Sequence, residues 1–159
     1  MSRVGRTLSV SLTGLEGHIV DVEVLHQGGG LPAFALVGLP DAALGEARDR
    51  VRAALASAGL RFPDGRLTAN LSPAYLPKTG TGFDLGIAVA ILAATHQIPP
   101  QRAEKLVVLG ELSLDGRVRP VRGVLPAVAA AARAGCGRVV VPAASLAEAQ
   151  LVKGVEALG

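Results

Sequence analysis

A chain of 159 residues, half of them hydrophobic but only 3% aromatic and without Trp, is long enough for one domain with an aliphatic core. The net charge of +3 comes from 16 basic residues, 13 of them Arg, spread along the chain; this permits a nucleic-acid partner and excludes a polybasic tail, while a single cysteine excludes an internal disulfide. The longest apolar run, 85–94, is interrupted by Gly86 and too short to span a bilayer, and no apolar segment follows Arg3 and Arg6, so a cytoplasmic setting without a membrane partner is expected.

Taken in chain order, Leu8, Val10 and Leu12 alternate with Thr7, Ser9 and Ser11, and Val20, Val22 and Val24 alternate with Asp21 and Glu23, which predicts two half-buried strands of an antiparallel pair. Gly28-Gly29-Gly30 ends the second, and the apolar 34–37 between Pro32 and Gly38 predicts a third strand. A helix follows, with Asp41 as its N-cap, Leu44, Ala47, Val51, Ala54, Leu55 and Ala58 on one face, and Gly59 at the C′ position. Residues 67–71 alternate as a strand. The loop PKTGTGFD (77–84) then feeds a helix over 84–95 that is apolar nearly all round, as a central buried helix should be. Strands at 107–114 and 117–121 flank Asp115-Gly116, the signal for a tight two-residue hairpin; a helix at 124–134, a strand at 138–141 and a last helix at 145–152 complete the pattern. Residues 155–159 read as an element cut short, so the chain is expected to be a fragment of a longer one. Strands come first and helices alternate with strands later. The fold class is therefore α+β, a mixed sheet with packed helices in a single domain over 1–159.

The 77–84 loop has the layout of a site. Backbone N–H groups of Gly80, Thr81 and Gly82, with Thr79 between them and Lys78 adding charge, could form a phosphate or anion cradle. The lysine precedes the glycines, the reverse of the P-loop order, and Asp84 as N-cap would occupy the orphan N–H groups and repel an anion; a structural turn accounts for the same residues. A hydrolase would have to use Thr79, Thr81 or Ser72 with Lys78. His18, His26 and His96 lack metal spacing, Cys136 between two glycines reads as filler, and Glu104, Glu111 and Asp115 read as solvated or turn residues, so no metal site is assigned. Two basic surfaces are candidates for DNA or subunit contact. Arg48 and Arg52 share a helix face whose Glu46 supports Arg50, and Arg117 and Arg119 line one side of a strand; a solvated face is the plain alternative for both.

Five strings stand out together: GLPAFALVGLP (30–40), EARDRVRAA (46–54), NLSPAYLPKTG (70–80), FDLGIA (83–88) and LGELSLDG (109–116). They resemble the N-terminal domain of the bacterial magnesium chelatase-like ATPases, the ComM/YifB family, and more distantly the proteolytic domain of Lon. The resemblance implies a ribosomal protein S5 domain 2-like fold and a following AAA+ module that carries the P-loop, ATP and Mg. It also implies a hexameric full-length protein linked to DNA branch migration during natural transformation. This chain has no G-x-x-x-x-G-K-[ST] string, so no cofactor is expected in it. Lon places its serine in a Pro-Lys-Asp-Gly-Pro-Ser-Ala-Gly loop and its lysine in a Gly-Gly-Leu-Lys-Glu-Lys run. Laid over these, Gly82 stands at the serine and Leu125 at the lysine, which implies a non-catalytic pseudo-protease domain.

Overall fold

A computed structural model describes residues 2–39, 41–78 and 80–159, the side chains of Ser2, Asp41, Ala42 and Leu44 apart. Strands β1 (Ser2–Thr13) and β2 (Glu16–Gln27) pair antiparallel over their full length, and β4 (Arg66–Ser72) pairs antiparallel with β2 on its other side. Strand β3 (Ala33–Val37) adds parallel to β4 at the edge. On the far side of β1 come β5 (Leu106–Val108), β8 (Arg138–Val140) and β9 (Glu156–Leu158), all parallel. The strand order among the described residues is β3-β4-β2-β1-β5-β8-β9. The centre, β1-β2-β4, is thus antiparallel, while β3 beside β4 and β5, β8 and β9 beyond β1 are paired parallel, which requires crossover connections. The α+β mixed sheet is as the sequence predicts.

Helices cover both faces. Helix α1 (Asp41–Ser57) buries Ala47, Val51, Ala54 and Leu55, and α2 (Asp84–Ala94) is buried on most sides; together they cover Val20, Val22, Val24, Leu67, Ala69 and Leu71. On the opposite face α4 (Val124–Arg133) and α5 (Leu146–Ala149) pack over Val10, Val107 and Val139. A short α3 (Pro100–Ala103) leads into β5, and a hairpin of β6 (Glu111–Leu112) and β7 (Val118–Arg119) stands outside the sheet. Helix α1 ends as expected: Gly59 takes φ +74°, its N–H donates to Ala56 O and that of Leu60 to Leu55 O, the paired bonds of a Schellman stop. The expected cap at Asp41 falls on a side chain outside the described set.

Five expectations are corrected. Strand β1 is not half-buried with its hydroxyl residues outward, because α2 covers that side: Thr7, Ser9 and Ser11 are buried. Their hydroxyls donate to Leu106 O (3.1 Å), Val108 O (2.8 Å) and Pro77 O (2.5 Å). The predicted strand 107–114 breaks at Gly110, where the chain leaves the sheet. A Cβ there would lie 2.6 Å from Val118 Cγ1, and its N–H and C=O instead bond Gly82 O and Leu85 N at 3.1 Å each. The hairpin loop has three residues, not two: Ser113 pairs with Arg117, and Gly116 at φ +92° makes a glycine bulge after the turn. The last helix shrinks to a 3₁₀ turn and α5, because Gly154 at φ +86° reverses the chain. Residues 156–158 then form β9, with Val141 N–H donating to Leu158 O at 2.8 Å. Lastly, Asp84 does not cap α2. It is the first helical residue, Phe83 is the cap, and the Asp84 carboxylate faces Arg50.

Candidate functional site

Between β4 and α2 the chain runs through residues 73–83 over the end of β1. Proline 77 is tied to that strand by the Ser11 hydroxyl, and Gly82 to the β5–β6 connection through Gly110. The Thr81 hydroxyl donates to the Glu111 carboxylate. A cleft of about 500 Å³ opens beside this loop, bounded by Ser11 of β1, the backbone of Gly80 and Gly82, Glu111, Val121 and the start of α4 at Gly123. Gly80 and Gly123 sit there at φ +82° and +77°, a left-handed backbone that suits glycine.

Lysine 78 does not reach this cleft. It is 3% exposed, and its Nζ donates to Pro73 O at 2.6 Å and Leu76 O at 3.0 Å, folding the preceding turn around a buried ammonium. Desolvation holds its pKa below the ordinary lysine value. The anion cradle expected at Lys78, Thr79, Gly80, Thr81 and Gly82 is therefore divided: Gly80, Thr81 and Gly82 border the cleft, Lys78 points inward, and Thr79 lies outside the described residues. Nor does a hydroxyl–amine pair form among the described residues. Ser72 Oγ accepts from Asn70 at 3.3 Å, and Thr81 donates to a carboxylate. Glu111, expected to be solvated, is instead half-buried on the cleft wall; Asp115 is the turn residue it was expected to be, accepting Arg117 N–H at 3.0 Å.

Gly82 has room for a side chain, since a Cβ would meet nothing nearer than Val121 Cγ1 at 3.7 Å. Leu125 lies in the first turn of α4, 38% exposed, with its N–H donating to Glu148 Oε1 at 3.0 Å, and is not part of the cleft wall. Below the loop, Arg50 grips Asp84 with both arms of its guanidinium, Nε to Oδ2 at 2.6 Å and Nη2 to Oδ1 at 3.0 Å, while Leu112 N–H donates to Oδ2 at 3.1 Å. Burial pushes the Asp84 carboxyl up; the Arg50 fork and the Leu112 N–H oppose that. The predicted Glu46 support for Arg50 is present at 3.7 Å. The Arg50–Asp84 pair, which joins α1, α2 and the β6–β7 hairpin, is what sequence reading missed: its signal was a lone carboxylate heading an apolar helix.

Of the four arginines expected at a contact surface, Arg48 donates to Phe34 O at 3.1 Å and Arg52 lies 5.0 Å over the Phe62 ring, so both are folded back on the protein. Arg117 and Arg119 are exposed; Arg117 is 3.6 Å from Asp115, and Arg119 is opposite Glu111 in the hairpin. No group of three potential metal ligands occurs among the described residues, and no helix is long and apolar enough to cross a membrane. Cys136 is a free, half-buried thiol packed against the α4 core, and burial raises its pKa.

The family model described as subunit ChlI of Mg-chelatase matches residues 22–145, most of the sheet and every wall of the cleft except β1. The chain belongs to this family. A Mycobacterium tuberculosis protein of uncharacterised function is 56% identical over 98% of this ChlI-family chain and 31% of its own length. Competence protein ComM of Haemophilus influenzae is 47% identical over 74% of the chain and 23% of its own length; YifB of Salmonella typhimurium is 42% identical over 87% and 27%. Lon protease 2 of Bacillus subtilis is similar more weakly, 31% identical over 94 residues, which are 59% of the chain and 16% of that protease. The chain spans under a third of the length of the relatives it matches.

Proposed function

We propose that this chain is a non-catalytic accessory domain of a magnesium chelatase-like AAA+ ATPase, on the ribosomal protein S5 domain 2-like fold of the Lon proteolytic domain. Its role would be to support ring assembly of the ATPase, a hexamer, or its engagement with DNA during branch migration in natural transformation. ATP and Mg belong to the nucleotide-binding module of the longer protein; this chain itself has no P-loop string. The observation that carries the reading is the cleft beside residues 80–82. It keeps a glycine-built wall next to a buried helix, but at Gly82 it has neither hydroxyl nor thiol, and the nearest lysine in sequence, Lys78, is sequestered by two carbonyls. Activation of a nucleophile needs a base within hydrogen-bond reach; among the described residues Lys78 faces neither Gly82 nor a cleft hydroxyl, and the Thr81 hydroxyl has the Glu111 carboxylate, not an amine, as its partner. Similarity to ComM and YifB over most of the chain supports the link to that ATPase group, and the weaker likeness to Lon supports the ancestry of the cleft.

The test is direct. Incubation with a serine-directed covalent probe and with an unfolded protein substrate is expected to give neither labelling nor cleavage; labelling at Ser72, Thr79 or Thr81 would replace this reading with a residual hydrolase.

A further inference from the structure

A second cleft, about 370 Å³, lies at the opposite end of the sheet from the residue 80–82 loop, beyond the C-terminal end of α2. Its walls are Arg3 of β1, His26 and Gly28 at the end of β2, Arg61, Pro63 and Asp64 of the α1–β4 connection, and Thr95. Arg3 and His26 are direct cross-strand partners, and the His26 ring Nε2 lies 2.7 Å from Asp64 O, donating to it and fastening the connection against the strand pair. Arg61 is held from its backbone, where N–H donates to Gln97 Oε1 at 3.2 Å and C=O accepts from Gln97 Nε2 at 2.9 Å. Its guanidinium is left to the cleft. Among the described residues neither the Arg3 nor the Arg61 guanidinium is within 4 Å of a carboxylate, in contrast to Arg6, Arg50, Arg117 and Arg138.

The rim suits a chain rather than a compact ligand. Gly28, Gly29 and Gly30 are exposed, and a Cβ on any of them would meet nothing within 4 Å. Gly29 and Gly30 take φ +82° and +72°. Gly28 lines the cleft beside the two arginines, and the open backbone that continues from it into Gly29 and Gly30 carries no side chain to keep a phosphodiester away.

We propose that this cleft holds phosphate groups of a polynucleotide backbone through Arg3 and Arg61, with the residue 28–30 loop as its rim. The inference rests on the DNA-engagement part of the function proposed above and moves the contact away from Arg48, Arg52, Arg117 and Arg119. Phosphate contacts carry no base readout, so binding should be indifferent to sequence and steeply salt-dependent.

Binding of the 159-residue chain to a labelled oligonucleotide, followed by anisotropy from about 50 to about 200 mM salt, tests it. Arg3→Gln/Arg61→Gln should weaken binding about tenfold or more and lower the salt slope by about two. Asp64→Asn removes the one carboxylate in the wall and should tighten binding roughly threefold, a gain that misfolding cannot imitate. Wild-type affinity in Arg3→Gln/Arg61→Gln, with the loss appearing in Arg117→Gln/Arg119→Gln instead, overturns the site and leaves the DNA-engagement reading standing. Absence of oligonucleotide binding by the wild type removes both. Inorganic phosphate shifting the His26 ring resonances without any oligonucleotide binding would overturn the polynucleotide and leave a small-anion site.

Discussion

Asp84 is 1% exposed and carries a charge into the core, a cost that only a partner of good geometry offsets. Arg50 supplies that geometry with two parallel bonds, and Leu112 N–H occupies a further lone pair. Arg50→Ala would strand the carboxylate and is expected to cost about 3–5 kcal/mol in urea denaturation, against roughly 1 kcal/mol or less for the exposed Arg48→Ala. Equal losses would show that the pair is not desolvated. Lys78 gives a pH signature of opposite kind. Its folded pKa is depressed, so between that value and the unfolded one of about 10.4 the unfolded chain binds more protons and stability rises with pH. The stability of wild type minus that of Lys78→Met should therefore grow as pH rises towards about 10.5; a flat difference would mean that the ammonium is solvated. The support of Arg50 by Glu46 was legible in the sequence because both lie one turn apart on one helix. The partner of Asp84 was not, because 34 residues separate it from Arg50 and a carboxylate at the head of a helix looks the same whether it caps or pairs.

At the scale of elements, the contact of β1 with α2 depends on small side chains. A Cβ on Gly5 would lie 2.1 Å from Ala90 O and 2.4 Å from Ala94 N, backbone atoms that cannot swing aside. Gly5→Ala should force the strand and helix apart and cost on the order of 1–3 kcal/mol. Gly82→Ser, with 3.7 Å to its nearest neighbour, should leave the melting temperature nearly unchanged and add no reactivity towards the serine probe, because no amine faces that position. The helices α1, α2 and α4 and the glycine stops of α1 and α4 were readable from periodicity and local bonding, whereas the stop of α2 falls on His96 at φ +58°. The inward face of β1 was misread for a physical reason: alternation identifies two faces, and hydroxyl residues mark the outer one only when nothing covers them. Here the acceptors that offset the burial of Thr7 and Ser9 are carbonyls of β5, about a hundred residues away, and that of Ser11 is Pro77 O. The break at Gly110 was hidden likewise, since the bonds that draw it out of the sheet go to Gly82 and Leu85.

For the whole molecule, the two cores lie on opposite faces of one sheet and share β1 and β2 as their common wall. Ile91→Ala on the α2 side and Val128→Ala on the α4 side are therefore expected to lower a single transition, by about 2–5 kcal/mol for the isoleucine and less for the valine. Two separated transitions in circular dichroism would mean that the faces unfold independently. The mixed α+β class was legible because strand and helix periods appear in distinct blocks. The place of β9 was not, since three residues after a Gly-turn carry too little pattern to outweigh the apolar stretch before them.

The strand order has a consequence for how the chain is made. The β1–β2 hairpin is made before the other strands of the sheet yet ends at its centre, and β5, the neighbour of β1, is complete only at Val108. Through that interval β1 presents an unpaired edge whose buried hydroxyls have not yet met their β5 acceptors. A nascent chain stalled near residue 98 should therefore be recovered in the pellet or bound to a holding chaperone, whereas one ending near residue 153, in which every strand of this sheet but β9 is made, should stay in the supernatant. Translation speed across the codons between β2 and β5 would then govern yield more than the stability of the finished domain.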